Sequence, residues 1–308
     1  MEHRIPVILD TDPGSDIDDS WAIAMLLRSP ECDLRLIATA TGEPSLRAMV
    51  VSRLLAAGGR SGIPVSAGRR YQRKEMAFHL GAYLKHTGDL PGHYPDAAES
   101  IVRTVRESPE PVTLIAIAPL TNIADALRLE PEIASRIDFV GMFGSLFRQY
   151  DGSKGRCAEW NLWCDQESAD LVFNRTRWRS MTITPLDTCG EIVFSRAALL
   201  PLEQSKDPLI AELMTSYRWW LASVEKKSID QVHLPPQTSS LFDTVAVYLA
   251  LSRRELLEMR KLRLSFENAV LRENENAPNE INVALEWKEK SAFLELLAGR
   301  LLGTRSPN

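Results

Sequence analysis

Apolar residues fall in short, uninterrupted runs separated by longer stretches with helical spacing. Val7-Ile8-Leu9, Leu34 to Thr39 (LRLIAT), Pro64-Val65-Ser66, Val112 to Ile117 (VTLIAI), Ile137 to Met142 (IDFVGM) and Met181 to Thr184 (MTIT) read as buried strands. Between them, Asp19 to Arg28, Leu46 to Ala57, Ala97 to Arg106, Thr121 to Leu127 and the stretch around Ala169 to Phe173 read as helices. Continuous apolar strands alternating with helices predict an α/β fold. A single open, doubly wound, mostly parallel sheet, covered on both faces, satisfies the pattern. Such a sheet binds its ligand beyond the carboxyl ends of the strands, where the strand order reverses. KLRLSF, INVALEW and a helix at Phe293 to Leu302 extend the same unit, so one domain is expected over residues 1–308. Two stretches break the alternation. Residues 69–95 read as a long loop with a short helix, and residues 222–241 lead into a helix at Asp243. Long loops of this kind often form lids.

Composition narrows the function. Apolar residues make up 44% of the 308, and charged residues 25%, which suits a globular chain with a sizeable core. The net charge of −5 and the lack of a Lys/Arg block argue against a nucleic-acid partner. No apolar run reaches membrane-spanning length, and the amino terminus lacks a cationic segment followed by an apolar one. No membrane and a cytoplasmic location are therefore expected. Cys32, Cys157, Cys164 and Cys189 form no C-x-x-C pair and are expected to be reduced.

The strongest local signal is VILDTDPGSDIDDSWAI, which ends the first strand and opens the first helix. Asp10, Asp12, Asp16, Asp18 and Asp19 lie within ten residues. Caps and turns account for one or two of them. Five like charges at one sheet edge repel each other unless something neutralises them, and a hard cation with oxygen ligands does so.

With these residues in view, the chain resembles the inosine–uridine preferring nucleoside hydrolase family, whose opening motif is D-x-D-P-G-x-D-D. Asp10, Asp12, Pro13, Gly14, Asp18 and Asp19 match it. Ser15-Asp16-Ile17 stands where the family commonly has one residue, a D-I-D-D form similar to a bacterial subgroup. VTLIAIAPLTNIADAL at 112–127, AEWNLWCDQESADLVFN at 158–174 and LFDTVAVYLAL at 241–251 resemble further family segments in the same order. The resemblance implies a Rossmann-like fold, hydrolysis of the N-glycosidic bond of ribonucleosides, Ca²⁺ as cofactor and a homodimer or homotetramer.

It also implies roles. Asp12 would be general base and metal ligand. Asp19, Asp243 and the backbone carbonyl of Ile117 would complete the metal site. Asp18 (or Asp16), Glu159 and Asn161 would hold ribose hydroxyls. Ser153 stands where the family has an Asn, and Glu43 where it has Asn or Asp. Phe242 replaces a His that is proposed to protonate the leaving base in several relatives, so His233, in the preceding loop, is the candidate acid. Trp160, Trp163, Trp219 and Trp220 invite base stacking, with Trp160 expected to line the pocket and the 219–220 pair expected to pack as core or lid. Two alternatives stay open here. VILDTD also resembles the nucleophile strand of haloacid-dehalogenase-type phosphohydrolases, with Asp10 phosphorylated. The replaced His and Asn also suit a nucleoside- or sugar-binding homologue with altered catalysis.

Overall fold

The computed structural model describes residues 4–71, 80–87, 92–251 and 254–304. Parts of the expected lid at 69–95 (72–79 and 88–91) therefore lie outside the described residues. Among those described, nine strands form one sheet in the order β3-β2-β1-β4-β5-β6-β9-β7-β8. They are β1 (Ile5–Thr11), β2 (Cys32–Thr39), β3 (Val65–Ala67), β4 (Val112–Ala116), β5 (Ile137–Met142), β6 (Ser180–Thr184), β7 (Leu257–Glu267), β8 (Val270–Glu273) and β9 (Glu280–Trp287). Pairing is parallel from β3 through β6 to β9. It is antiparallel from β9 to β7 and from β7 to β8.

Strand side chains alternate between two cores. Val7 and Leu9 face one, built with α1 (Asp18–Leu27), α2 (Pro44–Ala57), α3 (Leu80–Thr87) and helices from the C-terminal half of the chain. Ile8, from the same strand, faces the other, built with α4 (Ala97–Glu107) and α5 (Thr121–Leu129). Helices on both faces explain why the strands are apolar throughout rather than alternating.

The chain crosses from β1 to β2 on one side and reaches β4 on the other. The order therefore reverses between β1 and β4, and a crevice opens beyond their carboxyl ends. Asp10 pairs with Ala116 at this seam, and the Ile117 N–H donates to the Asp10 carbonyl at 2.9 Å.

Three details differ from the sequence expectation. The third strand is Val65–Ala67, one residue later than expected. After α6 (Trp160–Cys164), α7 (Gln166–Asp170), α8 (Leu186–Cys189) and α9 (Arg196–Glu203), helix α10 runs over Pro208–Glu225, so the second break begins later than residue 222. It ends at α11 (Asp243–Leu251), and α12 (Lys290–Leu301) closes the fold. The apolar stretch at 261–266 is the middle of β7, which forms a hairpin with β8. Its turn uses Asn268 (φ 51°) and Ala269 (φ 64°). Asn tolerates that backbone, but Ala rarely adopts it, so the usual Asn-Gly signal is missing. Among the described residues, no helix is long and apolar enough to cross a membrane.

Candidate active site

Strand β1 delivers the acidic loop to the crevice, and the loop is held from inside. Gly14 has φ +111°, and a side chain there would strike Leu80. The buried Arg47 of α2 donates to the carbonyls of Asp12, Pro13 (3.0 Å) and Thr41 (2.8 Å) and to the Ser15 hydroxyl (2.9 Å). This one guanidinium satisfies loop carbonyls that would otherwise be buried unpaired. Arg47→Met is expected to lower unfolding free energy by about 3 kcal/mol, because those carbonyls lose their donors. Denaturant unfolding checks this, and an unchanged midpoint would refute the clamp.

The loop folds Asp12 onto Asp19. The Asp12 N–H donates to Asp19 Oδ1 at 2.9 Å, and the Thr11 hydroxyl donates to the same oxygen. Asp18 and Asp19 form the first turn of α1, and Asp243 opens α11. Carboxylate oxygens of Asp18, Asp19 and Asp243 lie within 4.8 Å of one another, and all three residues are buried. Burial, with the charges of Asp16 and Asp19, pushes the Asp18 carboxyl well above the usual range. Burial and the charges of Asp18, Asp19 and Asp12 do the same to Asp243. Asp19 rises to about 6 through burial, held back by the bonds from Thr11 and Asp12. Three clustered oxygen donors, with no basic side chain among the described lining residues, fit a hard divalent cation.

A cleft of about 570 Å³ opens over this trio, a size suited to one small ligand. Its lining includes five acidic residues, Asp12, Asp16, Asp18, Asp19 and Asp243, and four aromatic ones, Tyr150, Trp160, Trp163 and Phe242. The Trp160 and Trp163 rings lie 5.4 Å apart, and Tyr150 meets Phe242 edge-on at 6.0 Å. Glu159 also lines the cleft. Its carboxylate caps α6, accepting from the N–H groups of Asn161 (2.7 Å), Leu162 (3.2 Å) and Gly144 (3.3 Å). Burial raises it to about 7, against the pull of those three donors. The Asn161 side-chain amide reaches the Ile117 carbonyl at 3.4 Å and so ties α6 to the end of β4.

The cleft thus gathers Asp12, Asp18, Asp19, Ile117, Glu159, Trp160, Asn161 and Asp243, together with Asp16. Three residues singled out in the sequence stand elsewhere. Glu43 precedes α2 and pairs with Arg70. Ser153 is exposed in a turn, where its N–H donates to Asp151. His233 is exposed after the short turn Ile229–Gln231. Trp219 and Trp220 pack against the core, and the Trp220 indole donates to the Ser15 carbonyl at 3.2 Å. Sequence reasoning missed Arg47, Met142 and Tyr150, which carry no local motif. Asp10 lies behind the cleft. Its carboxylate is fully buried, accepts from the Asn122 amide at 2.7 Å and is raised by burial to about 7. A phosphorylated nucleophile has to meet its substrate, so the phosphohydrolase alternative loses its central residue. All four cysteines are free.

The doubly wound sheet and the acidic, aromatic-walled cleft at its reversal point define an α/β enzyme of small-ligand chemistry. The chain belongs to the inosine-uridine preferring nucleoside hydrolase family, whose model matches residues 7–293; its members split ribonucleosides into ribose and base. It is 28% identical over 235 residues to probable uridine nucleosidase 1 of Oryza sativa subsp. japonica, covering 71% of each chain. It is 34% identical over 181 residues to the pyrimidine-specific ribonucleoside hydrolase RihA of Salmonella arizonae, covering 55% of this chain and 57% of that one. A solved plant nucleoside hydrolase, PpNRh1, shares the fold with a TM-score of 0.78 at 21% identity, over 97% of this chain and 99% of the other.

Proposed function

We propose that this chain uses water to cleave ribonucleosides at the N-glycosidic bond, with Ca²⁺ as cofactor, and that the whole chain, residues 1–308, acts as one domain. The observation that carries this is the buried trio Asp18, Asp19 and Asp243, facing one cleft with Asp12 and an aromatic wall. Asp12, Asp19, Asp243 and the Ile117 carbonyl would hold the cation. When bound, the cation supplies a water of lowered pKa and a grip on ribose hydroxyls. Asp12 takes the proton from the attacking water. Asp18, Glu159 and Asn161 hold the ribose hydroxyls, so that a sugar lacking one leaves a buried polar group unpaired. The transition state at the anomeric carbon carries positive charge, and the surrounding carboxylates stabilise it. Trp160 stacks on the departing base.

Uridine is the first substrate to try, because relatives named for uridine and pyrimidine ribonucleosides align with this chain. A homodimer or homotetramer acting in the cytoplasm belongs to the same reading. The test is free ribose released from uridine, cytidine, inosine and adenosine, with EDTA and with CaCl₂ restored. Release that stops with EDTA and returns with Ca²⁺ is expected. Binding of nucleosides without release would favour the binding-protein alternative instead.

A further inference from the structure

The glycosidic bond breaks only if the base can accept the bonding electron pair. Pyrimidines and purines are poor leaving groups as bare anions, so a donor near the base assists departure. Asp12, Asp19 and Asp243 cannot supply one without giving up the cation, Asp18 and Glu159 are engaged with the ribose, and Asp16 accepts from the Ile17 N–H and the Ser239 hydroxyl. Among the described lining residues, the only hydroxyls are those of Ser15 and Tyr150. Ser15 sits in the acidic loop, where it accepts from Arg47. Tyr150 touches Phe242 and the Trp160 backbone, among aromatic lining residues suited to a planar base.

We propose that Tyr150 is a catalytic residue whose phenol donates a hydrogen bond to the departing base, a proposal resting on the nucleoside-hydrolase reading above. The hydroxyl oxygen accepts from the Trp160 N–H at 2.8 Å. Its own hydrogen has no acceptor among the described residues and is free to meet a ligand. Accepting one hydrogen bond polarises the O–H and strengthens it as a donor. The ring is fixed by the edge-on contact with Phe242. The loop beneath it is fixed too. The buried Asp187 accepts from the N–H groups of Leu146 (2.9 Å) and Phe147 (2.7 Å). The Ser145 hydroxyl donates to the Arg148 carbonyl (2.6 Å) and accepts from the Cys157 N–H (3.0 Å). The donor is therefore preorganised, as charge stabilisation in a transition state requires.

The Tyr150 side chain is 46% exposed, but loss of solvent around its hydroxyl end and the charge of Glu159 both push the phenol above its usual range, so it stays protonated. It therefore acts as a hydrogen-bond donor and keeps its proton. In the step, the water oxygen bonds to the anomeric carbon as the C–N bond breaks. The electron pair passes to the base nitrogen and delocalises onto the neighbouring acceptor, a carbonyl oxygen in pyrimidines or a ring nitrogen in purines. The Tyr150 O–H points at that acceptor. The water's proton goes to Asp12, and the base takes a proton from solvent after leaving.

The experiment compares wild type with Tyr150→Phe on uridine and on p-nitrophenyl β-ribofuranoside, whose leaving group is a stable anion. A loss of about 10- to 100-fold in kcat/KM is expected for uridine, and less than about threefold for the nitrophenyl riboside. A second pair, 5-fluorouridine against uridine, should show a smaller loss for the fluorinated base, which is the better leaving group. An equal loss on all substrates, or no loss on uridine, overturns the proposal. If wild type cleaves neither uridine nor the nitrophenyl riboside, the underlying hydrolase reading fails and takes this one with it. A melting temperature matching wild type separates loss of the hydroxyl from loss of fold.

Discussion

Without divalent cations, the protein is expected to melt at a lower temperature at pH 8 than at pH 6, and Ca²⁺ is expected to raise the melting temperature most at pH 8. Asp10 and Glu159 are raised to about 7 and Asp19 to about 6, chiefly by burial, and burial with the charges of their acidic neighbours raises Asp18 and Asp243 well above the usual range. In the unfolded chain these groups lose their protons near the ordinary carboxyl range. Between about pH 4 and pH 7 the folded state therefore holds more protons than the unfolded one. Stability must fall as pH rises across that window. As the trio ionises, its like charges crowd together, and a cation removes the repulsion. The combined effect is on the order of several kcal/mol, worth about 5–10 °C for a chain of this size. Calorimetry at both pH values, with EDTA and with CaCl₂, measures it. A metal-free protein equally stable at both, and indifferent to Ca²⁺, would remove the basis for a cation site.

The second large effect concerns the base. Asp12→Asn keeps the shape of the side chain and its backbone bonds but cannot take a proton. Its kcat is expected to fall by about 10³- to 10⁴-fold, at the upper end of what a positioned base contributes. If Asp12 served only as a ligand, excess Ca²⁺ would restore much of the loss. Titrating Ca²⁺ into the variant while following ribose release therefore separates the two roles. Full rescue would leave Asp12 as a ligand alone.

Much of this site was readable before the fold was known, for a physical reason. Asp12, Asp18, Asp19 and Ile117 follow directly on strands β1 and β4, and a doubly wound sheet brings those ends together at the reversal. Glu159, Asn161 and Asp243 lie in local segments that resemble family motifs. Tyr150 and Arg47 were not readable. The first owes its place to a loop shaped by Asp187, and the second acts on a loop far away in sequence. Glu43 and Ser153, placed by resemblance to family positions, are held by Arg70 and by a local turn and do not line the cleft among the described residues. The β7–β8 hairpin escaped because its turn uses Ala269 in place of glycine.

Asp19 follows the first strand, whereas Asp243 arrives only after the chain has left β6 and before it returns as β9. An ion shared by these two side chains would join segments 224 residues apart, so no amino-terminal fragment ending before Asp243 could retain both ligands. Nascent chains must carry the acidic loop unneutralised until most of the protein has been made. Uptake of the ion would then mark the joining of the first strand's loop to α11 rather than the folding of either segment alone.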